Sequence, residues 1–242
     1  MTYDDPRLAL IYDLDNPAGP DHDYFRHVAD VSGAREIIDL GCGTGMLTVT
    51  LVGPGRRVVG IDPSPTMLAQ AQARPGGDTV EWRSGASELI EPVSADLVIM
   101  SGNVAMHIIG DAWHQTLGDI ARGLRPGGRL VFESRNPLTE AWRTWNGATP
   151  PRNTPAGRLR ESMMTEPPDS AGIVTMHCVN EFLDDGDTIT VVQQLQFRSL
   201  TQITADLGAA GMTTRKVLGD WSGAPFRGTP DDALMIFEAS PP

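Results

Sequence analysis

Three glycines at alternate positions, Gly41, Gly43 and Gly45, interrupt an apolar run that ends in Asp39 and Leu40. A second carboxylate, Asp62, closes the next apolar run, RRVVGI at 56–61. Glycine at a strand end lets a ligand approach the backbone closely. The spacing is G-x-G-x-G: Met46 stands where the dinucleotide fingerprint has its last glycine. A pyrophosphate favours a helix dipole and a clear glycine path, whereas an acidic residue entering the loop suits a cationic group better. A carboxylate at the end of the second strand can accept both hydroxyls of a ribose. Cys42 lies inside the loop with no base near it in sequence, so it reads as a small filler and not as a nucleophile.

Other residues able to do chemistry lie further along. His107, in GNVAMHIIG, could take a proton from a substrate nitrogen or oxygen, or could be a surface histidine making one hydrogen bond. Arg135 and Asn136 follow the run RLVFES and sit at the right edge for substrate contact; Arg135 could equally pair with a surface carboxylate. His177 alternates with Thr175 and Val179, which favours a structural role with pocket lining as the alternative. Trp142 and Trp145 are three apart and would share a helical face, as core packing or as a substrate platform. Tyr12 is an aromatic within LALIYDLDN.

The elements that must position these residues alternate. REIIDL (35–40), RRVVGI (56–61), TVEWR (79–83), ADLVIMS (95–101) and RLVFES after PGG read as strands. Residues 44–52, 63–74 and 111–124 read as helices between them, the second with Ser64 as N-cap and Pro65 in its first turn. Such alternation implies parallel pairing with right-handed crossovers. Ligands of such sheets bind outside the carboxyl ends of the strands. The proline-rich stretch 137–170 reads as irregular chain. IVTMHCVNEFL and TITVVQQLQFRSL flank DDGD as a hairpin, the second run a candidate edge strand. A helix over 200–212 and strand-like runs TTRKVLG and ALMIFEAS complete the chain.

Bulk properties narrow the partners. The 242 residues carry a net charge of −12, which disfavours a phosphate backbone and hence nucleic acid. No run reaches the roughly 18 apolar residues of a membrane helix. The opening MTYDDPRLAL lacks a signal-peptide pattern, and the two cysteines fit a reducing compartment. Neither cysteine has a zinc-ligand spacing, so no metal is expected. These features point to a cytoplasmic protein, monomer or homodimer, without membrane association.

Residues 35–136 resemble the class I S-adenosylmethionine-dependent methyltransferases. IIDLGCGTG matches that family's first motif, VVGIDPSPTML its second, SADLVIMSGNVAMHI the fourth-strand motif and RGLRPGGRLVFE the fifth-strand motif. The C-terminal portion, with FRSLTQITADLGAAGM and GDWSGAPF, also resembles methyltransferases of small molecules. The resemblance implies an α/β fold: a Rossmann-like seven-stranded, mostly parallel sheet with helices on both faces, plus an inserted antiparallel β lid. The core would comprise 1–136 and 200–242, and the lid 137–199. The implied cofactor is S-adenosyl-L-methionine, leaving as S-adenosyl-L-homocysteine. Gly41, Cys42 and Gly43 would pass under its methionine part, and Asp39 would help hold its ammonium. Asp62 would bind the ribose, with Pro63 and Met67 flanking the adenine. Ala86 stands where the family often has an acidic residue that binds the adenine amino group, so its backbone or the Ser87 hydroxyl would have to serve. Ser101, Gly102 and Asn103 would lie beside the methionine moiety, and Tyr12 in a segment folding over the cofactor. His107 would stand where the methyl group points, as a mild base. Arg135, Asn136, Trp145 and His177 would meet the acceptor, a small molecule such as a natural-product intermediate or a short peptide end, methylated on N or O. Alternatives are a nicotinamide-dependent oxidoreductase on the same fold and a non-catalytic S-adenosylmethionine-binding sensor.

Overall fold

Neighbouring apolar residues on a strand turn to opposite faces of a sheet, so runs such as REIIDL and ADLVIM need cover on both. The structure, a computed structural model, describes residues 5–242; the acidic opening at 1–4 lies outside the described residues. Two helices, α1 (Pro6–Asp15) and α2 (Pro20–Val31), precede strand β1 (Glu36–Leu40). Then follow β2 (Arg57–Asp62), α3 (Pro65–Ala73), β3 (Glu81–Ser84) and β4 (Ala95–Met100). The single turn α4 (Val104–His107), α5 (Asp111–Gly123) and β5 (Leu124–Arg135) come next. A second group comprises β6 (Gly147–Ala148), β7 (Arg152–Thr154), β8 (Gly157–Thr165), β9 (Ile173–Phe182) and β10 (Thr188–Gln196). Helix α6 (Leu200–Ala209), β11 (Thr213–Leu218) and β12 (Leu234–Ser240) end the chain.

The main sheet has seven strands in the order β11-β12-β5-β4-β1-β2-β3. Strands β1 to β5 pair in parallel, and β12 runs antiparallel to both its neighbours. Ile37, Leu97, Ile99 and Val131 pack with Phe25 and Val28 of α2 on one face. Ile38, Val98, Leu130 and Phe132 pack with Trp113 and Leu117 of α5 and Leu207 of α6 on the other. The fold is therefore the Rossmann-like seven-stranded arrangement that the motifs imply. The cap of α3 is as expected: Ser64 Oγ accepts from Met67 N at 3.3 Å, with Pro65 at the first helical position.

Two sequence expectations fail. Residues 44–52 form no α-helix, only a short 3-10 turn at Thr48–Leu51. Three of its residues are β-branched, and the Thr48 hydroxyl is drawn to Asp39 Oδ2 at 2.6 Å. The stretch 137–170 is not irregular throughout: it contains β6, β7 and the nine-residue β8. Its prolines are compatible with strands because Pro150, Pro151, Pro155, Pro167 and Pro168 fall between them.

The second sheet lies between β5 and α6 in sequence, with order β10-β9-β8-β6 and β7 on β8. The expected hairpin is β9 and β10, paired antiparallel with β10 at the edge. Its inner face rests on two elements. Leu159, Phe182 and Val191 pack on Leu8 and Ile11 of α1. Val174, Met176 and Leu195 join Met106 of α4, Trp142 and Phe197. Among the described residues no helix is long and apolar enough to cross a membrane.

Candidate functional site

The strand order reverses between β1 and β4, and two cavities open near their carboxyl ends. The smaller, about 530 Å³, is lined by Gly41, Gly43, Asp62, Pro63, Met67, Ala86, Ser87 and Ser101 among others. The larger, about 700 Å³, takes Asn103, Arg135 and Trp145 from the core side and Glu161, Met163, Asn180 and Cys178 from the second sheet. Tyr12, Gly102, His107 and Gln193 line both. The cavities therefore meet at these four residues.

The floor of the smaller cavity is backbone. Gly41 and Cys42 both donate to Ile61 O, at 2.7 and 3.1 Å, which ties the loop to β2. Gly41 has φ +76°, and a Cβ there would lie 2.5 Å from Val104 of α4. Gly45 answers a different need: its Cβ would lie 2.5 Å from the Trp82 ring, so the third glycine makes room for a core tryptophan and not for a ligand. Asp62 closes β2 with Oδ2 accepting from Gly43 N and Oδ1 from Ser64 N, both at 2.9 Å. Burial pushes its pKa upward, and the two backbone donors resist. Each oxygen keeps acceptor capacity for a ligand hydroxyl.

Asp39 is fully enclosed beneath the loop. Its Oδ1 has no hydrogen-bond partner among the described residues, and burial raises its pKa to about 6. Cys42 does not line either cavity; it is buried against Gly60, and desolvation raises its thiol pKa well above the ordinary value. Ser87 lines the smaller cavity, but its hydroxyl is engaged by Asp119 at 2.8 Å and lies 3.2 Å from Thr116.

His107 ends α4. Its ring is accessible, but through the cavities: surrounding protein desolvates it and lowers its pKa below the ordinary histidine value. No hydrogen bond or ion pair holds the ring among the described residues. The turn that carries it is fastened from outside. Arg198 donates to Ala105 O at 3.0 Å and Ile108 O at 2.6 Å, and its guanidinium lies 4.4 Å from the Trp113 ring centroid. At its other end Asn103, at φ +64°, donates its N–H to the buried Glu133 carboxylate. Glu133 Oε2 is unpartnered among the described residues, and desolvation raises its pKa to about 7.

Tyr12 is placed by α1, whose last turn is anchored on two sides. Asp13 pairs with Arg74, whose Nε donates to Thr44 O of the glycine loop at 2.9 Å. Asp15 Oδ1 accepts from Arg152 at 2.5 Å, and Arg152 also reaches Glu161 Oε2 at 2.8 Å.

Two expected substrate residues lie elsewhere. Asn136 is buried at the end of β5 and lines neither cavity; its Nδ2 donates to Thr229 O and Asp232 O, both at 2.8 Å, and its Oδ1 accepts from Leu138 N. His177 sits on the opposite face of β9 from Met176 and Cys178, because side chains alternate, and its Nε2 lies 2.8 Å from Glu166 Oε1. Arg135 and Trp145 do line the larger cavity. Trp142 is core, 4.6 Å from the Phe197 ring. Asp15, Glu161, Asn180, Gln193, Glu133 and Arg198 were not legible as site residues. They are ordinary polar residues, all but Arg198 in helix or strand, and only the pairing of β8, β9 and β10 brings three of them to one face.

Residues 37–128 match the family model of a methyltransferase domain. The chain is 27% identical over 210 residues to the cypemycin N-terminal methyltransferase of a Streptomyces species, covering 84% of this chain and 83% of that protein. Among solved structures it resembles the CcbJ methyltransferase of Streptomyces caelestis at a TM-score of 0.77 and 22% identity, covering 100% of this chain and 98% of that one. It also resembles the sugar N-methyltransferase KedS8 of a Streptoalloteichus species at a TM-score of 0.72 and 19% identity, covering 96% and 92%. These two structural likenesses are of fold. The methyltransferase-domain match over residues 37–128 and the methyltransferase relative, with the motifs, support a class I S-adenosylmethionine-dependent methyltransferase.

Proposed function

We propose that this methyltransferase modifies the nitrogen of a small amine-bearing acceptor, with S-adenosylmethionine in the smaller cavity and the acceptor in the larger. The observation that carries this reading is the meeting of the two cavities at Tyr12, Gly102, His107 and Gln193. The cofactor fits the donors present. Asp62 retains acceptors for the ribose hydroxyls, and Pro63 and Met67 flank the space beside it. Asp39 lines neither cavity; buried beneath the loop, it braces Thr48 behind the glycines through Oδ2 at 2.6 Å. Ala86 and Ser101 also line this cavity, although the Ala86 N–H already donates to Glu88 Oε1 at 3.0 Å and its carbonyl accepts from Leu89 N at 3.2 Å. When bound, S-adenosylmethionine supplies a methyl group made electrophilic by its sulfonium.

The chain then has two tasks. The first is alignment and exclusion of water, which α1, α4 and the edge strand β10 perform together; positioning alone is worth several powers of ten. The second is to take a proton. His107 stays neutral because burial opposes its charge, and no neighbour occupies its ring nitrogens. A neutral imidazole can accept the proton an amine must lose. Asp15 lies one helical turn from Tyr12 on the same cavity wall and Glu161 lies across from it, so the acceptor side is acidic and suits a cationic amine. The relatives named for N-terminal and sugar N-methylation agree with this choice of atom. In this reading residues 1–136 and 200–242 form the cofactor core, and 137–199 form a lid that shapes acceptor choice.

The test is a panel of matched pairs, each an amine and its hydroxyl analogue, incubated with labelled S-adenosylmethionine. Methyl transfer to amines alone supports the reading. Transfer to the hydroxyl member of the pairs would overturn it.

A further inference from the structure

Arg135 ends β5 on the wall of the larger cavity. Its guanidinium makes no hydrogen bond or ion-pair contact among the described residues; the buried Glu133 carboxylate acts on it only through space. Other arginines near the site are satisfied: Arg152 bridges Asp15 and Glu161, and Arg198 is filled by the carbonyls of Ala105 and Ile108. Arg135 is half-buried and carries five donors with nothing to receive them, an arrangement that costs desolvation without return. What does hold it is an aromatic face. Its Cζ lies 5.5 Å from the Trp145 ring centroid, and Trp145 in turn leans on Phe197 at 5.9 Å. An arginine laid against an indole keeps its donor edge free for a planar anion.

We propose that Arg135 receives a carboxylate of the acceptor, so that the substrate carries both an amine and a carboxylate. The amine half of this statement rests on the N-methylation reading; the carboxylate half stands on Arg135 alone. Burial already lowers the guanidinium pKa, and a bound anion would relieve that strain on its charge. Charge on the same wall selects among anions. Asp15 and Glu161 are only partly balanced by Arg152, so a phosphate dianion meets repulsion that a single carboxylate largely escapes.

The experiment is calorimetric titration of the protein saturated with S-adenosylhomocysteine. The probes are leucine, isovalerate, leucinamide and inorganic phosphate, against wild type, Arg135→Gln and Arg135→Lys. Leucine and isovalerate should bind at least tenfold more tightly than leucinamide or phosphate. Arg135→Gln should weaken the two carboxylates at least tenfold, Arg135→Lys should recover part of that loss, and affinity for S-adenosylhomocysteine should not change. Equal binding of leucine and leucinamide, absence of binding by either carboxylate, tighter binding of phosphate, or indifference to Arg135→Gln would each overturn the proposal. Arg135-dependent binding of isovalerate without transfer to any amine would refute the N-methylation reading and leave this one standing.

Discussion

The smaller cavity takes the glycine loop and one carboxylate from the stretch between Leu40 and Met67, with the ends of β3 and β4, α4 and the edge strand β10 around them, whereas the larger is walled by α1, the segment after β5 and the second sheet. The first is set by where glycines permit unusual φ and close approach; the second by which strand registers bring polar side chains to one face. One part can therefore stay constant while the other changes its acceptor, and mutations should fall into two classes.

The largest effect is expected from Asp62→Ala. It removes the acceptor for Gly43 N and Ser64 N as well as the proposed site for ribose, and each lost charged hydrogen bond is worth about 1.5–3 kcal/mol. Calorimetry should show S-adenosylmethionine affinity reduced by about 10³-fold. Retained affinity would break the assignment of the smaller cavity. Next comes His107→Gln, at the border. We expect kcat to fall by about 10²-fold with cofactor affinity unchanged. Because burial lowers the wild-type pKa, the rate should hold as pH falls through about 6.5 and decline only below it, as the ring protonates. A rate that already halves near pH 7 would exclude a desolvated His107 as the base.

Gly41→Ala should damage both cavities at once, since its Cβ would strike Val104, distant from the glycine loop in sequence but the first residue of the turn carrying His107. Cofactor affinity and kcat should each drop about tenfold, given the strained φ and the clash. A loss confined to cofactor affinity would show that the two walls are mechanically separate.

Glu133→Gln tests the wall between them by stability. The folded pKa is raised to about 7, above the unfolded value of about 4.3, so the native chain holds a proton that the unfolded chain releases. Wild-type stability should fall as pH rises from about 4.3 to 7, by on the order of 3 kcal/mol. The variant keeps an acceptor for Asn103 N and should lack that decline in denaturant melts; identical pH profiles would show that Glu133 is not desolvated. The smallest effect is expected from His177→Ala. Its pairing with Glu166 is partly exposed, so it should cost less than about 1 kcal/mol and leave kcat and KM unchanged. A change in KM would bring the outer face of β9 into the acceptor site.

This division also decides what the sequence could disclose. Gly41, Gly43, Asp62 and Ser64 announce their conformations locally, through residue type and spacing, and the sheet order follows from alternation. Gly45 shows the limit of that reasoning: its spacing looks like part of a ligand loop, yet its neighbour is Trp82, brought by the pairing of β2 with β3. The missing helix after the loop was concealed in the same way, by a hydrogen bond from Thr48 to a strand residue. On the acceptor side Glu161 meets Asn180 only through the register of β8 on β9, and Met176 meets Gln193 only through that of β9 on β10. His177 and Met176 differ by one position and face opposite ways, so Met176 lines the cavity while His177 keeps the structural role its alternation favoured.

The four residues shared by both cavities make the two binding events one thermodynamic system. Ligands seated as proposed would press on a common wall. Whatever factor the acceptor applies to cofactor affinity, the cofactor must apply to the acceptor. A product cofactor lacking its methyl leaves room at this wall just as the acceptor has grown by the same group. With both ligands seated as proposed, discrimination between substrate and product pairs would rest on how little Tyr12, Gly102, His107 and Gln193 can yield.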